Sequence, residues 1–528
     1  MVLPGMTAVQ HWIVKRHKIA KRHEITVSIV LFLLLLGNMS FGKVWAVDAI
    51  VVCPLAFNKA LQPWVEHRRD EGMSVRVIAS ERDSQTLRQS IARFADEETR
   101  YVLLVGDAPV FGSPCAVELQ TPICYSPTKV TAAWGSTPTL SSDLLYGDFD
   151  SDEVPDAVVG RLPVDTPEQL TRLIARIKAR ESSVDFGNWR SEVQLIGGIG
   201  GFGAMADQAI ESVTRTIVTS VLPADSRATV CYASPGHIFF PTAPSFTDAV
   251  LDRYRRGARF WVYAGHGRVT ELDRVPGTEG GVPVLDARSV HRLSRPAEGA
   301  PIALMLACYT GAIDAAEDSI AEQMVLCEGG PIAVVAGSRV TMPYGNTTAA
   351  VGLIDGVFKQ RLPRLGDAWL TALTQMHEET TSDTSAARIM IDALAAVVSP
   401  AGSDLVEERR EHMRLYNLIG DPTLRLQHPE EMSISVASGH DRGAPICVEV
   451  TSPITGKLRL CLDRPLGSKT DGDPNETTVA CFETDVQEGK PVSPMILLPN
   501  ELSGPIVVRA MVSGDRSWAS AAARTIVR

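Results

Sequence analysis

The chain has 528 residues, 45% of them hydrophobic, which is enough for two to four domains with real cores and too apolar for a disordered segment. Its formal net charge of −11, with no stripe of clustered Lys and Arg beyond the first 46 residues to track a phosphate backbone, argues against non-specific nucleic-acid binding. A basic cluster, Lys15 to Arg22, precedes an apolar run from Ile25 to Leu36, and Val44-Trp45-Ala46 follows as a small-residue cleavage site. Residues 1–46 therefore read as a secretory signal peptide, with export and a mature terminus near Val47. The apolar run falls short of the roughly 20 residues of a membrane span. Membrane contact is expected only through this segment, as a signal or as an uncleaved anchor.

From Ala49 onward, short apolar runs alternate with helical patterns. Strands are expected at Ala49 to Cys53, Val75 to Ala79 and Tyr101 to Val105, with helices at Ala60 to Glu71, Ser84 to Phe94 and Pro167 to Ser182. A second alternating unit has strands at Val193 to Gly197, Arg227 to Tyr232, Ala258 to Ala264, Pro301 to Ala307 and Pro331 to Ala336. Its helices fall at Asp207 to Val221, Phe246 to Arg256 and Asp318 to Cys327. This alternation predicts a doubly wound α/β fold in two subdomains, residues 47–190 and 191–430. After Asp421-Pro422-Thr423 strand-length runs take over, and residues 431–528 are expected to form a small β-sandwich.

Two polar positions directly follow apolar strands. Ala258 to Ala264 runs into Gly265-His266-Gly267, and Pro301 to Ala307 runs into Cys308. Side chains at strand carboxyl ends emerge at the edge where open α/β sheets bind ligands. A thiol beside an imidazole is a nucleophile with its own acid/base partner, and the glycines let backbone approach a substrate, with the Gly267 amide aimed at an oxyanion. The 42-residue spacing of His266 and Cys308 suits one crossover and is close to the roughly 50 residues seen in caspases.

From Ala49 to Leu426 the chain resembles the gingipain family of cysteine peptidases. The resemblance rests on Tyr101-Val-Leu-Leu-Val-Gly-Asp107, Leu145-Tyr-Gly-Asp-Phe-Asp-Ser-Asp152 with Val159-Gly-Arg-Leu-Pro163, Tyr263-Ala-Gly-His-Gly267, Ala307-Cys308 with Gly311, and Leu418-Ile-Gly-Asp-Pro-Thr-Leu424, in that order. It implies a caspase-like pair of α/β subdomains followed by an immunoglobulin-like domain, protein or peptide substrates, and a dyad of Cys308 and His266 with Gly267 on the oxyanion side. It also implies Asp207 as the carboxylate of a pocket for Arg or Lys. Two family residues are replaced: Ile199 stands where a glutamate assists the histidine, and Leu272 where a tryptophan follows it. A backbone carbonyl is then expected to orient His266. The alternative is a non-catalytic adhesin or secretion component of the same descent.

No cofactor is required by this chemistry. Gly198-Ile-Gly200-Gly-Phe-Gly203 matches a dinucleotide fingerprint formally, but no acidic residue closes the next strand near Tyr232. Asp148, Asp150, Asp152 and Asp156 alternate in a loop that suits a structural calcium ion. Of nine cysteines, Cys115 and Cys124 form a candidate disulfide by proximity, while Cys447, Cys461 and Cys481 share the terminal domain.

Overall fold

The computed structural model describes residues 46–528 apart from 202, 242–244, 277–279, 382–383, 401 and 469–470. The expected signal segment lies outside the described residues. Runs such as Ala49–Val52 and Tyr101–Val105 are buried along their whole length, as strands covered on both faces must be. They join one ten-stranded sheet in the order β2-β1-β3-β6-β14-β13-β12-β9-β7-β8. Its members are β1 (Ala49–Val52), β2 (Val75–Ile78), β3 (Tyr101–Val105), β6 (Val158–Leu162), β7 (Glu192–Gly197) and β8 (Arg227–Tyr232). The others are β9 (Phe260–Ala264), β12 (Ile302–Leu306), β13 (Ala333–Gly337) and β14 (Tyr416–Ile419).

The two expected subdomains thus share a continuous sheet. The strand that joins them, β14, emerges directly from the helix Leu405–Leu415 without a loop. It pairs antiparallel with β13 over four residues and meets β6 through Ile419 and Arg161 alone. Four helices that the sequence pattern did not separate, Pro343–Ile354, Leu365–His377, Ala386–Val398 and Leu405–Leu415, lie between β13 and β14. A hairpin of β4 (Cys124–Pro127) and β5 (Thr139–Ser142) fills the Pro-rich stretch. The short pair β10 (Arg274–Val275) and β11 (Val282–Pro283) follows β9.

Residues 430–527 form two sheets around a single apolar core. One holds β15 (Glu430–Glu431), β17 (Gly439–His440), β19 (Gly456–Asp463), β20 (Thr478–Val486), β23 (Gly504–Ser513) and β24 (Trp518–Val527). The other holds β16 (Ser433–Val436), β18 (Pro445–Thr451), β21 (Pro491–Val492) and β22 (Met495–Leu497). Strand alternation decides which side chains enter the core: Ile446, Val448 and Val450 face inward from β18, and Leu458, Leu460 and Leu462 from β19. This unit abuts the exposed edge of β8, where Asn475 both accepts from the Val230 amide at 2.6 Å and donates to its carbonyl at 3.1 Å.

The disulfide expectation needs correction. Cys461 and Cys481, directly opposite on β19 and β20, are bonded, whereas Cys115 and Cys124 are both free. Cys124 is buried at the start of β4, where burial pushes its thiol up to about 12, and the Cys115 thiol instead faces the Gln120 carbonyl at 3.7 Å. Among the described residues, no helix is long and apolar enough to cross a membrane.

Candidate active site

Strands β9 and β12 are parallel neighbours, and their register ends with Ala264 opposite Leu306. His266 and Cys308 each lie two residues beyond that pair. Adjacent strands run about 4.8 Å apart, so the register brings the two residues to neighbouring strand ends at one edge. His266 is exposed and Cys308 half-buried.

Bare backbone lets the surrounding loops meet. A Cβ on Gly267 would stand 2.7 Å from the Thr310 methyl and 2.8 Å from the Cys308 carbonyl, so the histidine and cysteine loops touch only because residue 267 has no side chain. A Cβ on Gly198 would lie 2.3 Å from the Asp273 carboxylate, which closes the β7 loop against the β9 loop in the same way.

The imidazole Nε2 of His266 donates to the Gly200 carbonyl at 3.0 Å. This leaves Ile199 no part in orienting the ring; it packs against the apolar core. Leu272 is buried, and its amide donates to Leu285. Asp273, which the sequence did not single out, accepts the amides of Ile199 at 3.0 Å and His266 at 3.3 Å with one oxygen. Tyr263 completes this clasp by donating to the His266 carbonyl at 2.6 Å and accepting from the Asp273 amide at 3.1 Å. Burial, and then the charge of Asp273, raise the Tyr263 phenol well above its ordinary range, so it remains a donor.

Around Cys308 the contacts come from the loop after β13. The Thr341 amide points at Sγ at 3.3 Å, and the Thr341 carbonyl lies 3.7 Å away. Tyr309, next in the chain, has φ 57°, a left-handed conformation that side-chain-bearing residues adopt infrequently and that gathers at functional sites. Its amide donates to the Arg339 carbonyl at 3.0 Å, and its hydroxyl accepts from the Thr137 amide at 3.3 Å.

Asp207 lies in the first turn of the helix Ala204–Thr216, and its carboxylate accepts the Gly201 amide at 3.1 Å. It also lines a cavity of about 490 Å³ that reaches the active edge at Gly198, Gly200 and Gly265 and continues between the sheet and this helix. The aspartate loop is divided. Asp148, Asp150 and Asp156 bring carboxylate oxygens within 4.8 Å of one another, while Asp152 turns to accept the Val154 amide at 2.8 Å and does not join them.

An α/β sheet that presents a cysteine and a histidine from adjacent strand ends is the framework of a cysteine peptidase. The profile of peptidase family C25 matches residues 45–427, and the chain belongs to this family, that of the gingipains. It is a cysteine peptidase by that membership. Among solved structures, it is similar to the Arg-specific cysteine proteinase gingipain R, with 16% identity and a TM-score of 0.53, covering 91% of this chain and 98% of that one. The complex of Porphyromonas gingivalis RgpB pro- and mature domains matches with 15% identity and a TM-score of 0.52, covering 91% and 100%. No curated protein sequence matches the chain.

Proposed function

We propose that the chain is an exported cysteine endopeptidase in which Cys308 is the nucleophile and His266 its acid/base partner. The observation that carries this reading is the β9–β12 register, which places both residues two positions beyond the Ala264–Leu306 pair. With Nε2 committed to Gly200, Nδ1 is the nitrogen assigned to proton exchange with the thiol. The proton passes from Sγ to the imidazole, and sulfur attacks the peptide carbonyl carbon. The oxyanion that forms is met by the Gly267 amide. Collapse breaks the C–N bond as the imidazolium protonates the leaving amine. Water then hydrolyses the thioester, releasing the acid and restoring the thiol.

Asp207 supports a preference for Arg or Lys at the cleaved position, because a carboxylate at a pocket wall offsets the cost of desolvating a cation. The acidic loop supports a structural calcium ion: Asp148, Asp150 and Asp156 supply hard oxygen donors, with Asp148 largely buried and raised by that burial. The basic cluster and apolar run before Val47 support export, and the two-sheet C-terminal unit supports an immunoglobulin-like domain.

The test compares hydrolysis of arginyl and lysyl peptides, and labelling by an arginyl or lysyl electrophilic probe, between wild type, Cys308→Ala and His266→Ala. Both variants are expected to remain folded and lose turnover, with the double variant no worse than the singles. Near-wild-type hydrolysis in either one refutes the dyad, whereas an inert wild-type protein favours a non-catalytic adhesin of this family.

A further inference from the structure

The loop that faces the sulfur is fixed more heavily than a loop needs to be. Arg339, buried, grips Asp314, also buried, with two parallel bonds of 2.9 and 2.6 Å. Two further donors go to the carbonyls of Thr139 at 2.8 Å and Ser338 at 2.8 Å. Asp314 also accepts the Ser141 hydroxyl at 3.0 Å, and the Ser338 hydroxyl donates to the Ser141 carbonyl at 2.7 Å. The ion pair therefore ties the loop after β13 to β5 and to the segment that follows Cys308.

Downstream, the Met342 amide donates to His412 Nε2 at 2.6 Å, and Asn346 donates to the Thr341 hydroxyl at 3.1 Å. Gly337 leaves room for this course, since a Cβ there would lie 2.5 Å from the Thr341 methyl. Between these anchors stands one amide, that of Thr341, directed at Sγ at 3.3 Å. The same Arg339 offers its carbonyl to Tyr309 and so helps hold the left-handed turn beside the nucleophile.

We infer that the Thr341 amide is the donor that stabilises the thiolate of Cys308, and that the Asp314–Arg339 pair is a positioning device that keeps the amide on the sulfur. The inference rests on Cys308 being the nucleophile. A thiolate is a far better acceptor than a thiol, so an aligned amide favours the charged form, as oxyanion-hole amides favour a developing charge. Hydrogen bonds to charged groups contribute about 1.5–3 kcal/mol, which corresponds to roughly a tenfold to hundredfold change in thiolate population.

The experiment follows alkylation of Cys308 by iodoacetamide between pH 5 and 9, with mass spectrometry confirming the site, in the full-length protein. Arg339→Lys, and the double variant Asp314→Leu/Arg339→Met that removes both charges together, are expected to shift the alkylation profile to higher pH. At pH 6 the rate should fall about tenfold or more. Thr341→Ala keeps the amide but loses the hydroxyl that Asn346 grips, so it is expected to shift the profile clearly less than the Arg339 variants do. An unchanged profile in folded Arg339 variants overturns the inference, as does an equal shift in Thr341→Ala, which would assign the effect to the hydroxyl. A measurement free of substitutions uses wild-type protein labelled with 15N-threonine: the Thr341 amide resonance should titrate along the alkylation profile, and a resonance indifferent to thiol ionisation overturns the inference. Failure of the nucleophile reading would look different, since alkylated wild type would keep its peptide hydrolysis.

Discussion

Arg161 is fully buried on β6, and every one of its guanidinium donors is used. Two parallel bonds of 2.7 Å go to Asp143, and three more reach the carbonyls of Gly106 at 3.0 Å, Thr121 at 2.8 Å and Pro122 at 3.0 Å. Replacing it by lysine keeps the charge but leaves three donors on one nitrogen for five acceptor contacts. Two contacts are then lost, each worth about 1.5–3 kcal/mol when one partner is charged, so Arg161→Lys should cost roughly 3–6 kcal/mol. Urea unfolding of the two proteins at pH 7, read by fluorescence and by activity, measures the difference. A midpoint unchanged in Arg161→Lys would show that the five contacts add nothing to folding, and the reasoning from donor geometry would be wrong.

Glu181 gives a pH signature. Burial pushes its carboxyl up, but the His67 hydrogen bond and the Arg68 guanidinium outweigh this and hold it at about 2, below the ordinary 4.5. A depressed carboxyl contributes stability above its unfolded value and loses it as pH falls through the folded one, so about 3 kcal/mol should disappear between pH 4.5 and 2. Glu181→Gln should flatten urea-midpoint curves in that window, and an identical slope in wild type and variant would count against it. If calcium occupies the loop, millimolar calcium should raise the melting temperature relative to chelator, and Asp150→Asn should reduce that rise; no response to calcium removes the site. Asp207→Ala should lower kcat/KM for Arg and Lys substrates by about tenfold or more, near 1.4 kcal/mol, and spare neutral ones; a uniform loss would return Asp207 to a role at the helix start.

The strand positions were legible because buried parallel strands are short apolar runs, and the candidate dyad was drawn from the residues that follow two such runs, His266 between glycines and Cys308 after Ala307. What stayed hidden has a common physical origin. A backbone carbonyl was expected beside His266, but nothing marked it as that of Gly200, and nothing marked the Thr341 amide that meets Cys308: main-chain groups leave no residue type to recognise. β14 was hidden because Tyr416 follows the helix Leu405–Leu415 with no breaker between them. The Cys115–Cys124 expectation failed because nearness in sequence does not set the geometry of a bond, whereas the Cys461–Cys481 cross-strand register does. Several segments that carried the family resemblance turn out to hold the scaffold. Gly160 has Gly420 and Pro422 against it, and Asp421 binds Trp64 at 2.5 Å and Arg68 at 2.7 Å.

The place of β14 bears on how the chain is made. The strands on either side of it, β6 and β13, are complete by residue 162 and residue 337, yet each keeps an open flank until residues 416–419 arrive. An open flank in the middle of a sheet invites pairing with another chain. A growing polypeptide must therefore keep the β6 flank open through some 250 residues of synthesis, and the β13 flank through some 80, before its last α/β strand joins them. Completion of both half-sheets becomes a single late event, and a chain cut short before Tyr416 would own both His266 and Cys308 without a finished sheet to hold them.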